Sequence, residues 1–121
     1  MKVLIFEDNL IWSTRLVRTL RGLGHEAEVH SPLPPAPSPF AGTSHPENGE
    51  GEVRAAIVNL ASPGIADLVA ELRADGIYVI GHAGHKEKEL HALGKDAGCD
   101  RLATNSEITW KLGEILGSIE R

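Results

Sequence analysis

The residues best suited to chemistry stand at the ends of short apolar runs. Glu7 and Asp8 follow Val3-Leu4-Ile5-Phe6, and Asn59 follows Ala55-Ala56-Ile57-Val58. Ala83 and Gly84 come just beyond Ile77-Tyr78-Val79-Ile80, and Asn105 comes just beyond Asp100 to Ala103. Adjacent carboxylates suit a hard cation such as magnesium. The competing reading of Glu7-Asp8 is a solvated turn whose charge favours the N-terminus of the next helix. Asn59 is a neutral amide, a good hydrogen-bonding group and a poor nucleophile. Any cation bound at Glu7 and Asp8 is therefore expected to be held weakly, and no other cofactor is implied.

Other reactive side chains form no recognisable constellation. His82, His85 and His91 are close in sequence, but no cysteine cluster or HExxH spacing accompanies them. His82 and His85 are read at a strand-to-loop exit, where they need not share a face with His91. Cys99 is the single cysteine, which excludes an internal disulfide and suits an inert core thiol.

These residues need a scaffold of alternating strands and helices. Val3–Phe6, Ala27–His30, Ala55–Leu60, Ile77–Ile80 and Asp100–Ala103 read as strands, most of them apolar enough for burial on both faces. Trp12, Leu16, Leu20 and Leu23 recur at helical spacing, with Arg15, Arg18 and Arg21 between them and Gly24 as a stop. Ile65, Leu68, Val69 and Leu72 mark a second helix, and Leu90, Leu93 and Ala97 a charged third one across Lys86–Ala97. The last helix carries Ile108, Leu112, Ile115, Leu116 and Ile119, with Ser106 as its expected cap and Trp110 off the inner stripe. Six of the seven prolines lie between Ser31 and Glu52. That composition predicts a flexible Pro/Gly-rich loop over 31–52 in place of most of a helix.

Five such strands joined by helical crossovers predict one α/β domain over 1–121. Its form is an open, doubly wound, five-stranded parallel sheet. In this architecture the functional crevice lies at the carboxyl ends of the strands, where all the residues named first reside. The chain has 121 residues, 41% of them hydrophobic, and a formal charge of −5 with no basic run. That argues against nucleic acid as a partner. The first apolar run is too short for a signal-peptide core or a membrane span, so a cytoplasmic location is expected.

Order, spacing and fold together resemble the receiver domain of bacterial two-component response regulators over nearly the whole chain, which implies a flavodoxin-like sheet of strand order 2-1-3-4-5. In that family an acidic pair follows the first strand, matched here by Glu7-Asp8. A phosphoacceptor Asp ends the third strand, where this chain has Asn59, and Pro63-Gly64 matches the turn that follows. A Thr or Ser follows the fourth strand, where this chain has Ala83, and the Lys-Pro pair after the fifth falls on Asn105-Ser106. The family's switch aromatic in the fifth strand falls on Leu102.

The resemblance thus implies a degenerate pseudo-receiver without its acceptor, hydroxyl and lysine. It would be a non-enzymatic module that meets a protein partner independently of phosphorylation. Lys88, Lys95, Arg101, Trp110 and Lys111 are the expected partner surface, and a homodimer stays open. Two other readings compete. One is a conventional phosphoryl-accepting regulator, which Asn59 opposes. The other is a flavodoxin-like nucleotide or small-ligand binder, which lacks a phosphate-cradling glycine loop after the first strand and has only Gly81 and Gly84 near a strand end.

Overall fold

The computed structural model describes residues 2–7, 10–30, 53–62 and 64–119. The loop expected over 31–52 and the acidic Asp8 lie outside the described residues. Strands β1 (Lys2–Phe6), β2 (Glu26–His30), β3 (Val53–Asn59), β4 (Tyr78–Ala83) and β5 (Arg101–Thr104) alternate with helices. The helices are α1 (Leu10–Gly22), α2 (Ile65–Ala74), α3 (Lys88–Ala97), α4 (Asn105–Trp110) and α5 (Leu112–Ile119). All described strand pairs are parallel, as the alternation predicts, and the order is β2-β1-β3-β4-β5, as the resemblance implies.

The central strands are apolar throughout because both faces are covered. On one face Leu4, Phe6, Ala56, Val58 and Val79 pack with Ile65, Leu68, Val69 and Leu72 of α2. On the other, Val3, Ile5, Ala55, Ile57 and Ile80 pack with Leu16 and Leu20 of α1 and with Ile108, Leu112, Ile115 and Leu116 of α4 and α5. Full burial of each aliphatic side chain is worth about 1.5–3 kcal/mol, so these two layers dominate the stability. Gly94 lets α3 approach the sheet. A Cβ there would come within 2.6 Å of Leu102 Cδ2 and 2.8 Å of Leu60 Cδ2.

Two local readings change. The last helix is capped by Thr104 rather than Ser106, and it is split at Lys111 into α4 and α5. The Thr104 hydroxyl accepts from the Glu107 N–H at 3.1 Å, and the Glu107 carboxylate accepts from the Thr104 N–H at 2.9 Å. This reciprocal box requires a glutamate three residues after the cap, which Thr104 has and Ser106 does not. The other change is at β4, which runs on past Ile80 to Ala83 because β3 and β5 pair with it on both sides.

Candidate functional site

The side chains of Glu7, Asn59 and His82 meet at the carboxyl ends of β1, β3 and β4. Strand alternation puts them there. Glu7 continues the parity of Val3 and Ile5, Asn59 that of Ala55 and Ile57, and His82 that of Ile80. The register pairs Asn59 directly with His82. Glu7 and His82 are 3% and 2% exposed, so a carboxylate and an imidazole are withdrawn from water together. Such groups are tolerated only when they are bonded to one another or to neighbouring dipoles.

The bonding forms a chain. Asn59 Nδ2 donates to Glu7 Oε2 at 2.8 Å. Asn59 Oδ1 accepts from the Ala61 N–H at 2.9 Å, which fixes the amide's orientation. His82 Nε2 lies 3.7 Å from the same Glu7 oxygen. The other ring nitrogen, Nδ1, is 2.8 Å from Asn105 Oδ1. A proton on Nε2 would point at the Glu7 carboxylate. The imidazolium supplies it, and so does the Nε2–H tautomer once the Asn105 amide is turned to donate to Nδ1. Trp12 of α1 closes the side of the site, its ring 5.7 Å from that of His82, and Arg15 lies over the Trp12 ring at 5.1 Å.

Glu7 is thus buried within the fold and is not part of a solvated turn. The structure brings Glu7, Asn59 and Asn105 into one network. Ala83 is not in it: its side chain packs into the opposite core layer with Phe6, Val58 and Leu60. The β4 side chain that faces Asn59 is His82, one position earlier. The histidine is the site residue that sequence reasoning placed at a loop exit and set aside. Continuing the inward parity of Ile80 by two residues was the signal for it. Chemically, the network presents a neutral amide at the end of β3, and Oε2 of Glu7 is held by an internal donor. Among the described residues no three His, Cys, Asp or Glu side chains are grouped to hold a metal ion.

The five residues expected at a partner surface are all exposed, with Lys88 and Lys95 on α3, Arg101 on β5, Trp110 at the end of α4 and Lys111 just after it. Trp110 is 81% exposed, far more than an aromatic kept for the core. Leu102 is half-buried and packs against the α2-side core. Cys99 is partly buried, and desolvation, aided by the neighbouring Asp100 carboxylate, pushes its thiol up to about 11. No helix among the described residues is long and apolar enough to cross a membrane.

No protein-family model matches the chain, and no curated protein matches it. Solved structures do. The chain is similar to the chemotaxis response regulator CheY4 of Vibrio cholerae, with a TM-score of 0.70 at 16% identity, covering 98% of this chain and 97% of that one. It is similar to a LuxR-family DNA-binding response regulator of Staphylococcus aureus, with a TM-score of 0.68 at 17% identity, covering 99% and 98%. It is also similar to an orphan response regulator of H. pylori, with a TM-score of 0.63 at 19% identity, covering 100% and 97%. The fold is therefore that of the CheY-like receiver domains, a five-stranded all-parallel sheet of order 2-1-3-4-5 with flanking helices.

Proposed function

We propose that this chain is a receiver-like signalling module that works by binding a protein partner and does not depend on phosphorylation. The observation that carries the reading is the Asn59–Glu7 hydrogen bond. The side chain at the acceptor position is an amide, and it is spent on holding the acidic residue that would help bind magnesium. An amide cannot form an acyl phosphate, and no lysine stands at Asn105 to neutralise a phosphoryl group. The buried His82 ring fills the space beside Glu7, its Nε2 3.7 Å from the carboxylate. Magnesium binding is accordingly weak, and the chain is not an enzyme.

The partner surface in this reading is the exposed set Lys88, Lys95, Arg101, Trp110 and Lys111, whose charges suit a salt-sensitive contact. Without a hydroxyl at His82, which faces Asn59, or at Ala83, and without an aromatic at Leu102, nothing couples a phosphoryl group to that surface, so binding there is constitutive. The test is incubation with magnesium and acetyl phosphate followed by intact mass measurement. The expected result is an unmodified chain. A stoichiometric, base-labile phosphate adduct would sink the reading.

A further inference from the structure

Helix α1 carries a concentration of positive charge that the site does not use. Arg15, Arg18 and Arg21 step along it three residues apart and all three are exposed, while the sequence from Leu10 to His25 contains no Asp or Glu. Among the described residues, none of the three guanidinium groups has a carboxylate within ion-pair distance. A helix C-terminus favours a cation, which accounts for Arg21 in the last turn, but that effect fades within one turn and leaves Arg15 and Arg18 unexplained. Arg15 is held over the Trp12 ring, so its direction is fixed.

Two shallow grooves run beside these arginines and share Arg18. One is lined by Val17, Arg18, Arg21 and Val29 between α1 and the edge strand β2, and the other by Ile11, Thr14, Arg15 and Arg18. Ile11 and Val29 are exposed to 72% and 44%. The face therefore offers forked cations beside small apolar seats, on a molecule whose net charge is −5.

We infer that the α1 face is a docking surface for an acidic, amphipathic segment of a partner protein, its carboxylates on Arg15, Arg18 and Arg21 and its aliphatic side chains against Ile11 and Val29. Carboxylates on neighbouring turns of a partner helix recur about 5–6 Å apart, matching arginines set three residues apart on α1. Arginine pairs bidentately with carboxylate, which gives register as well as attraction. A long polyanion such as nucleic acid would extend beyond α1 and meet the molecule's net negative charge. A short segment stays within about one Debye length (~8 Å) of the arginines and feels mainly them. This goes beyond the reading given above and does not depend on the state of Asn59, so the phosphodonor experiment and this one fail independently.

The test is fluorescence anisotropy of a labelled amphipathic peptide, with glutamates on one face and leucines on the next, against the full chain. Binding is expected, weakening as salt rises, and each of Arg18→Glu and Arg21→Glu should reduce affinity roughly tenfold. Lys86→Glu, in the exposed turn before α3, should leave it unchanged, and circular dichroism should confirm that each variant is folded. Equal loss with Lys86→Glu would show unspecific attraction and overturn the proposal. So would tighter binding of an oligonucleotide of equal charge. Binding seen only after combined Glu47→Gln, Glu50→Gln and Glu52→Gln would also overturn it, because the occupant would then be this chain itself.

Discussion

Asn59 donates through Nδ2 to Oε2 of Glu7 at 2.8 Å, joining the ends of β3 and β1 within the buried site. Because Asn59 Oδ1 is committed to the Ala61 N–H, the amide has one orientation and Glu7 receives a donor. Asn59→Asp replaces that donor with a second carboxylate against a buried one. Like charges at that range disfavour double ionisation, so one carboxyl is driven toward its neutral form. The expected cost at neutral pH is about 1–3 kcal/mol, from the lost hydrogen bond and the poorly satisfied oxygens. Millimolar magnesium should recover part of it, because two carboxylates now attract a hard cation. Thermal midpoints with and without magnesium read this directly. A variant as stable as the parent, or one indifferent to magnesium, would contradict the account.

His82→Ala tests whether the imidazole is part of the network or merely fills space. The substitution removes the partner of Asn105 at 2.8 Å and leaves Glu7 with one fewer polar neighbour. It also opens a cavity beside Trp12. We expect a loss on the order of 2–4 kcal/mol in urea unfolding, from the cavity and the orphaned polar groups together. His82→Phe fills the space without restoring the bonds. It should recover less than half of the loss if the polar network matters, and nearly all of it if packing alone does. Trp12 emission, isolated in a Trp110→Phe background, should change with His82→Ala because the two rings are 5.7 Å apart.

The capping box at the start of α4 predicts a pH dependence. The Thr104 backbone N–H, bonded to the Glu107 carboxylate, holds that carboxyl below the usual glutamate value of 4.5. A carboxyl whose folded pKa is depressed stabilises the fold above its unfolded pKa, and the contribution disappears as pH falls through the folded value. Thr104→Ala should cost about 0.5–2 kcal/mol near pH 7, and Glu107→Gln less, because its amide oxygen can still accept from the Thr104 N–H while the charge is lost. The deficit of Glu107→Gln should shrink below pH 4.5 as the parent carboxyl protonates. Denaturant midpoints across acid pH measure it, and a deficit that stays constant through that window would refute the assignment.

Much of the architecture was legible because buried parallel strands have no polar face to hide. Val3–Phe6 and Ala55–Val58 are apolar without interruption, and the stripe of Ile65, Leu68, Val69 and Leu72 has helical spacing. The site was harder to read. Asn59 and Glu7 stand out by position, but their mutual bond depends on rotamers that no spacing encodes. His82 was passed over because Gly81 and a polar residue suggest the end of a strand. Only pairing with β3 and β5 carries β4 through them. Gly81 is itself required by that packing, since a Cβ there would come within 2.7 Å of Leu60 Cδ2. Residue type alone favours Ser106 as the cap, whereas the reciprocal bond selects Thr104 through Glu107.

The thiol of Cys99 should be chemically quiet, and this can be checked without altering the protein. Burial is the main cause of its raised pKa, with the Asp100 charge adding to it, and the value is about 11 against an ordinary 9.0. The thiolate is the reactive form, so its fraction at neutral pH is lowered by about two powers of ten relative to an unperturbed cysteine. Alkylation by iodoacetamide, followed by intact mass at intervals, should therefore run about 100-fold slower than for a small free thiol. Between pH 7 and 10 the rate should climb about tenfold per unit, because the group stays mostly protonated throughout. A plateau near pH 9 would mean that the thiol is not shifted as its surroundings require. Asp100→Asn should speed the reaction modestly by removing the neighbouring negative charge. It also removes the acceptor of the Val79 N–H at 2.8 Å and the ion-pair partner of Arg73, so some loosening of the turn into β5 should accompany it. Loosening alone would raise the rate at every pH by the same factor, whereas a lowered pKa would also bring the plateau to lower pH. The full pH–rate profile of the two proteins therefore distinguishes electrostatics from access.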